Sequence, residues 1–104
     1  MNVILITACP SGMATTFLAA RRLEQAARQR GWRSTVEMHG ELEPTRPVEQ
    51  TAIDAAELVI VAAEYIREPQ RFVGKRLFQA PISQALPDPR GFLERAEREE
   101  AFYT

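Results

Sequence analysis

Cys9 is the only cysteine in the chain, and it stands where the character of the sequence changes. The apolar run Val3-Ile4-Leu5-Ile6 ends just before it, and Pro10-Ser11-Gly12-Met13-Ala14-Thr15-Thr16 follows. Pro10 biases Cys9 toward extended backbone and marks the end of a strand. Pro10 has no N–H, whereas Ser11 through Thr16 each carry one. Gly12 lets the backbone come close to a ligand. A helix that begins here turns its first unpaired N–H groups and its positive dipole end back toward Cys9, which makes an anion cradle. In environments of this kind a thiol ionises in the range of about 3.5 to 7.5. Its thiolate is then a nucleophile at neutral pH, and the same cradle suits a phosphate carried on the sulfur. Thiol and loop together predict phosphoryl transfer through a phosphocysteine. The competing reading is a small buried filler at a strand end. Its place at a strand-to-helix turn among small neighbours favours the chemical one.

Related chemistries are separated by single positions. A Cys-x5-Arg phosphatase loop needs an arginine where this chain has Thr15, so hydrolysis of phosphate esters is disfavoured. A Cys-x-x-Cys redox pair needs a second cysteine at Gly12. A Walker-type loop needs Gly-Lys-Ser/Thr, which the sequence lacks. What remains is a cysteine that accepts a group and passes it on.

The bulk composition is consistent with this. At 104 residues, 45% of them hydrophobic, the chain fits one domain with one core, spanning residues 1–104 with 103–104 frayed. Its net charge of −1 and single lysine offer no basic surface for nucleic acid. One cysteine excludes an internal disulfide and a cysteine-based metal cluster, and a free thiol suits a reducing compartment. No apolar run approaches the roughly 20 residues of a membrane span, and no signal peptide is visible. The expectation is a cytoplasmic protein that reaches a membrane only through a partner.

The elements that must hold Cys9 follow from patterning. Val3–Ile6 and Leu58–Ala63 read as strands buried on both faces of a parallel sheet. Residues 13–30 read as a helix with Thr16, Ala19, Leu23, Ala26 and Ala27 on its inner stripe, stopped by Gly31. Ser34–Met38 alternates as a half-buried edge strand, with Val36 and Met38 on one side and Thr35 and Glu37 on the other. A loop over 40–47, a short helix over 48–56, a loop over 64–75, a fourth strand over Arg76–Ala80 and a short helical piece after Pro81 follow. Pro89–Phe102 reads as a final helix laced by i,i+4 charge pairs, and the terminal residues 97–104 as its solvated end. The result is an α/β fold: a four-stranded, mainly parallel sheet of order 2-1-3-4 with helices on both faces. Its topological switch lies between strands 1 and 3, where ligands of such sheets bind, and Cys9 follows strand 1.

The stretch Thr-Ala-Cys-Pro-Ser-Gly-Met-Ala-Thr-Thr-Phe-Leu-Ala-Ala-Arg resembles the active-site segment of the fructose-specific family of phosphotransferase-system enzyme IIB domains. Val36-Glu37-Met38-His39-Gly40, Ala55–Glu64 and Arg71-Phe72-Val73-Gly74-Lys75 match further family motifs in order, so the resemblance covers most of residues 1–80. It implies a relay: a phosphohistidine on a IIA phosphodonor phosphorylates Cys9, and Cys9 passes the group to a fructose or fructose-like sugar held by the membrane IIC permease. It implies Cys9 as the phosphorylated residue and Pro10, Ser11, Gly12, Met13, Ala14, Thr15 and Thr16 as the phosphate loop, with no cofactor and no metal. It also implies a cytoplasmic domain, transiently at the inner face of the membrane through IIC. Where the family carries a loop histidine this chain has Thr15, which has no titratable group. A transfer-impaired regulatory or binding paralogue that keeps the fold is therefore the alternative, and a phosphatase or oxyanion reductase a weaker third.

Among the remaining residues, Arg71 and Lys75 are expected in a loop on the site's side, as partner-steering charges or as solvated ones. Glu64 is expected to hydrogen-bond loop backbone. His39, the single histidine, reads as a surface or satisfied residue at a strand end. Trp32 and Phe72 read as packing residues.

Overall fold

The computed structural model describes residues 1–8, 13–39, 48–66 and 68–103, with only the backbone of Met13. Five strands form one sheet: β1 (Asn2–Ala8), β2 (Arg33–His39), β3 (Leu58–Ala62), β4 (Arg76–Ala80) and β5 (Ala101–Phe102), in the order β2-β1-β3-β4-β5. The first four are parallel and β5 is antiparallel to β4. The helices are α1 (Met13–Gln29), α2 (Gln50–Ala55), α3 (Ile82–Ala85) and α4 (Pro89–Glu99), with a 3-10 turn over Pro69–Phe72.

Strand order and the handedness of crossovers decide which face each helix covers. From β1 the chain steps outward to β2, then returns past β1 to β3. Right-handed crossovers in opposite directions must lie on opposite faces. Accordingly Leu23, Ala26 and Ala27 of α1 pack with Phe92, Leu93 and Ala96 of α4 on Val3, Leu5, Leu58 and Ile60. Ile53 of α2 and Phe72 of the 3-10 turn cover Ile4, Ile6, Val59 and Val61 on the other face. This is why the two central strands are continuous apolar runs. Val3–Ile6 and Leu58–Ala62 are buried throughout, each side chain facing one of the two clusters in turn.

Helix α1 ends as its sequence indicates. Gly31 takes φ +79°, Trp32 N–H bonds Ala27 O at 2.9 Å and Gly31 N–H bonds Arg28 O at 3.0 Å, a glycine stop that satisfies two terminal carbonyls. Helix α4 opens with Asp88 Oδ1 accepting from Gly91 N–H at 3.0 Å and Pro89 in its first turn.

Two expectations fail at the sheet's edges. The final helix stops at Glu99, and Ala101–Phe102 forms a fifth strand on β4 rather than a solvated helix end. Tyr103 is not frayed: its N–H bonds Lys75 O at 2.9 Å and its carbonyl accepts from Gly74 N–H at 2.8 Å. Gly74 sits at φ +86°, so the turn that receives Tyr103 calls for glycine. Arg76 fixes the join, pairing with Glu100 at 2.6 Å and lying 5.3 Å from the centre of the Phe102 ring. On β2 the buried side chains are Glu37 and His39, while Val36 and Met38 are only partly covered. Partners on the α2 face neutralise and enclose this polar pair.

Candidate functional site

The candidate site lies where β1 and β3 end side by side and α1 begins. Thr7 pairs with Ala62 of β3 and with Met38 of β2, and Ala8 pairs with His39. Cys9, Pro10, Ser11 and Gly12 lie outside the described residues. The residues on either side of them are tied together. Thr7 Oγ1 donates to Thr16 O at 3.1 Å, and Thr16 Oγ1 donates to Thr7 Oγ1 at 2.7 Å, with both side chains fully buried. This pair links the last inward position of β1 on the α1 face to the first turn of α1. It fixes the span that residues 9–12 must bridge.

The first turn of α1 carries no acidic side chain, so no carboxylate of that turn offsets its positive end. Of the residues expected in the phosphate loop, Met13–Thr16 make up that turn, with Ala14 exposed, Thr15 half-buried and Thr16 buried. One turn further, Phe17 and Leu18 are exposed, with Arg21 stacked 5.7 Å from the Phe17 ring. A surface hollow runs from there along the outer face of α1, lined by Phe17, Leu18, Arg21, Arg22, Gln25 and Arg28. Glu64 and Tyr65, just after β3, are exposed.

Replacing Thr16 with Val keeps the shape but leaves Thr7 Oγ1 without its buried donor. The variant is expected to lose about 1–2 kcal/mol, read by urea denaturation. In a cycle with Thr7→Val the two changes should couple by about 1 kcal/mol. Strictly additive effects would show that the two hydroxyls do not act together.

Next to the site, at the end of β2, a buried carboxylate gathers four donors. Glu37, with no exposed surface, accepts from Arg71 Nη1 at 2.8 Å and Nη2 at 3.1 Å. It also accepts from Val48 N–H at 2.8 Å and faces His39 Nε2 at 2.5 Å. Burial on its own pushes the Glu37 carboxyl up. The hydrogen bonds from Arg71, from Val48 N–H and from His39, together with the charge of Arg71, outweigh burial and hold it below its ordinary value. Glu37 is therefore an ionised, acceptor-only group. Arg71 also lies 4.7 Å over the Phe72 ring and donates Nε to Glu68 O at 3.2 Å.

The cations expected near the site differ in place. Arg71 lies toward the carboxyl end of the sheet, but its guanidinium is held by Glu37. Lys75 is not on the site's side. It immediately precedes β4, at the amino end of the parallel strands, and its Nζ donates to Ala56 O at 2.6 Å and Asp54 O at 3.2 Å. The connection from β3 to β4 runs the length of the sheet, so its last residue is a strand's length from its first. Among the described residues, no group of three or more His, Asp or Glu side chains is placed to hold a metal ion. No described helix is long and apolar enough to cross a membrane.

Comparison with known proteins agrees with this arrangement. A family profile described as "PTS system, Lactose/Cellobiose specific IIB subunit" matches residues 4–95. The fructose-specific EIIB'BC component of Vibrio cholerae is 40% identical over 96 residues, which cover 92% of this chain and 17% of that protein. The fructose-like EIIB component 2 of Escherichia coli K12 is 33% identical over 97 residues, covering 92% of each chain. A domain of the fructose-specific IIABC component of Borrelia burgdorferi superposes with a TM-score of 0.90 at 25% identity, over 98% of this chain and 97% of that one. A domain of FruA from Bacillus subtilis gives 0.85 at 32% identity, over 99% and 100%. The chain thus spans about a sixth of the Vibrio relative and nearly all of the Escherichia one. Sequence match, strand order and superposition all lead to one assignment: the chain belongs to the IIB family of the sugar phosphotransferase system, in its fructose-type branch.

Proposed function

We propose that the chain is a phosphocarrier that takes a phosphoryl group onto Cys9 and gives it to a sugar. In the first step the thiolate of Cys9 attacks phosphorus on a phosphohistidine of a IIA donor. The P–N bond breaks, the S–P bond forms, and the departing imidazole takes up a proton. In the second step a sugar hydroxyl bound by the IIC permease attacks the same phosphorus. The S–P bond breaks, the hydroxyl proton leaves to a base or to water, and the thiolate is restored. Residues 10–16 form the loop, and the backbone N–H groups of residues 11–16 cradle the phosphoryl oxygens. The catalysis asked of this chain is positioning and charge stabilisation, as in phosphoryl transfer generally. The sugar is fructose or a fructose-like hexose, in keeping with relatives named for fructose. The domain works in the cytoplasm and meets the membrane through IIC.

The observation that supports this reading best is the join itself. A buried strand end is tied by Thr7 and Thr16 to a helix start whose first turn has no carboxylate. The test supplies the purified chain with a phosphorylated fructose-type IIA. One phosphate per chain is expected, mapped to Cys9 by peptide analysis and discharged by fructose in the presence of permease vesicles. No thiol-linked phosphate under these conditions would overturn the reading. It would leave the regulatory alternative that Thr15 raises.

A further inference from the structure

Helix α1 differs from the rest of the chain in charge and in what it leaves uncovered. Its 17 residues carry Arg21, Arg22 and Arg28 against Glu24, a net of +2 on a chain whose net is −1. Its inner stripe is buried on the sheet. At the start of its outer face, however, Phe17 and Leu18 are 48% and 45% exposed. One exposed apolar side chain is ordinary; two side by side at the end of a cationic face are a mark of an interaction surface.

Helical spacing sets Phe17, Arg21, Glu24 and Arg28 in one row, with Leu18, Arg22 and Gln25 in the row beside it. Arg22 Nη1 donates to Leu86 O at 2.9 Å. Arg21 lies 5.7 Å from the Phe17 ring. Among the described residues neither Arg21 nor Arg28 enters an ion pair, whereas Arg30 has Glu97. Phe17 also borders a second hollow, between α1 and β2, whose other apolar walls are Ala20, Val36 and Met38. The ring therefore stands between an apolar cleft and a cationic ridge, one turn from the start of α1.

This pattern fits a protein surface that presents an apolar side chain between carboxylates. Its sign of charge also separates the two partners of a phosphocarrier. A phosphorylated donor brings about −1.5 to −2 charge at the phosphoryl group alone, and a field of opposite sign speeds the encounter. The cytoplasmic loops of membrane proteins carry an excess of Lys and Arg, which this face repels. A lipid surface fits no better. A helix that lies on a membrane keeps a whole apolar face for it, and the apolar face of α1 is against the sheet.

Resting on the phosphocarrier reading, we propose that the outer face of α1 is the docking surface for an acidic face of the IIA phosphodonor and not for the permease. Phe17 and Leu18 are its apolar anchors, and Arg21 and Arg28 its cationic rim.

The two transfer steps separate the partners. Initial rates with phosphorylated fructose-type IIA give KM and kcat for loading the chain, and discharge to fructose in permease vesicles gives the second step. Arg21→Glu should raise KM for IIA about tenfold at low salt, with kcat within about twofold, and 0.5 M salt (about a 4 Å screening length) should close most of the gap. Phe17→Ser should raise KM by about five- to tenfold with little dependence on salt, as loss of an apolar anchor does. Arg98→Glu makes the same change of charge on α4 and should leave KM within about twofold. Both α1 side chains are exposed, so thermal melts should match the parent. Unchanged KM in both α1 variants, or an equal loss in discharge to the permease, overturns the proposal. So does sedimentation of the chain with phosphatidylglycerol vesicles that requires Phe17 and Arg21, which would give the face to a membrane. If Cys9 never carries phosphate, the phosphocarrier reading fails, and titration of 15N-labelled chain with unphosphorylated IIA still decides the surface. Amide shifts are then expected along residues 17–28, and their absence there overturns the proposal.

Discussion

Replacing Arg71 with Met should lower the stability of the chain by about 3–5 kcal/mol, the usual consequence of stranding one member of a buried ion pair. For a domain of this size that is a fall in Tm of roughly 15–30 °C. Met keeps apolar cover over Phe72, so the loss is chiefly electrostatic. Glu37 has no exposed surface, and without the guanidinium it keeps, among the described residues, Val48 N–H and His39 as donors. The pH dependence should then change sign. In the parent chain the Glu37 carboxyl titrates below its ordinary value. Its contribution is fully present above the unfolded-state value of about 4.3 and is lost as pH falls through the folded-state value. In Arg71→Met burial dominates, the folded-state value rises above the unfolded one, and protonation relieves the penalty. Melts at pH 7 and pH 5 should show the variant closer to the parent at pH 5. A Tm within about 5 °C of the parent at pH 7 would show the pair to be energetically idle. A deficit that grows on acidification would place the charge elsewhere.

That ion pair was also the feature least visible in the sequence. A glutamate in an alternating strand reads as facing water. Its partner lies 34 positions away, in a segment that looks like an ordinary polar loop. Nothing local marks Glu37 as buried, because the marker is the fold that brings the 3-10 turn onto β2. The second edge was hidden for a similar reason. Ala101–Phe102 is too short for any period to show, and i,i+4 charge pairs run helical spacing up to it. Its strand character comes from Arg76 and Leu77 across the gap. The central elements were legible because their burial is symmetric. Val3–Ile6 and Leu58–Ala62 need apolar residues at every position, and Gly31 ends α1 by backbone geometry alone. Strand order then followed from crossover handedness, and the switch point from strand order. The choice of Cys9 rests on residue type and on its punctuation, Pro10 and Gly12, which lie outside the described residues. The hydroxyl pair at Thr7 and Thr16 was not, because residues nine apart meet only once the helix has folded back on the strand.

On the proposed phosphocarrier reading, Cys9→Ser should reduce phosphoryl acceptance from IIA by at least about a thousandfold while leaving the melt nearly unchanged, because it removes the nucleophile and keeps the loop amides. Oxygen for sulfur is a small change in volume. The hydroxyl, however, stays protonated at neutral pH, and helix amides alone do not ionise it. The parent thiol should behave in the opposite way. Standing four positions before a helix whose first turn has no carboxylate, it should, on the phosphocarrier reading, titrate below the free-cysteine value of about 8.5. Since the chain has one thiol, the rate of iodoacetamide alkylation against pH reports that ionisation directly. The expected profile is already near its plateau at pH 7.5. Adding inorganic phosphate should slow it by occupying the cradle. A profile that climbs to pH 9 would mean the amides do not stabilise the thiolate. Serine that still accepts phosphate at a comparable rate would move the acceptor to another residue, and with it the whole account of how α1 is used.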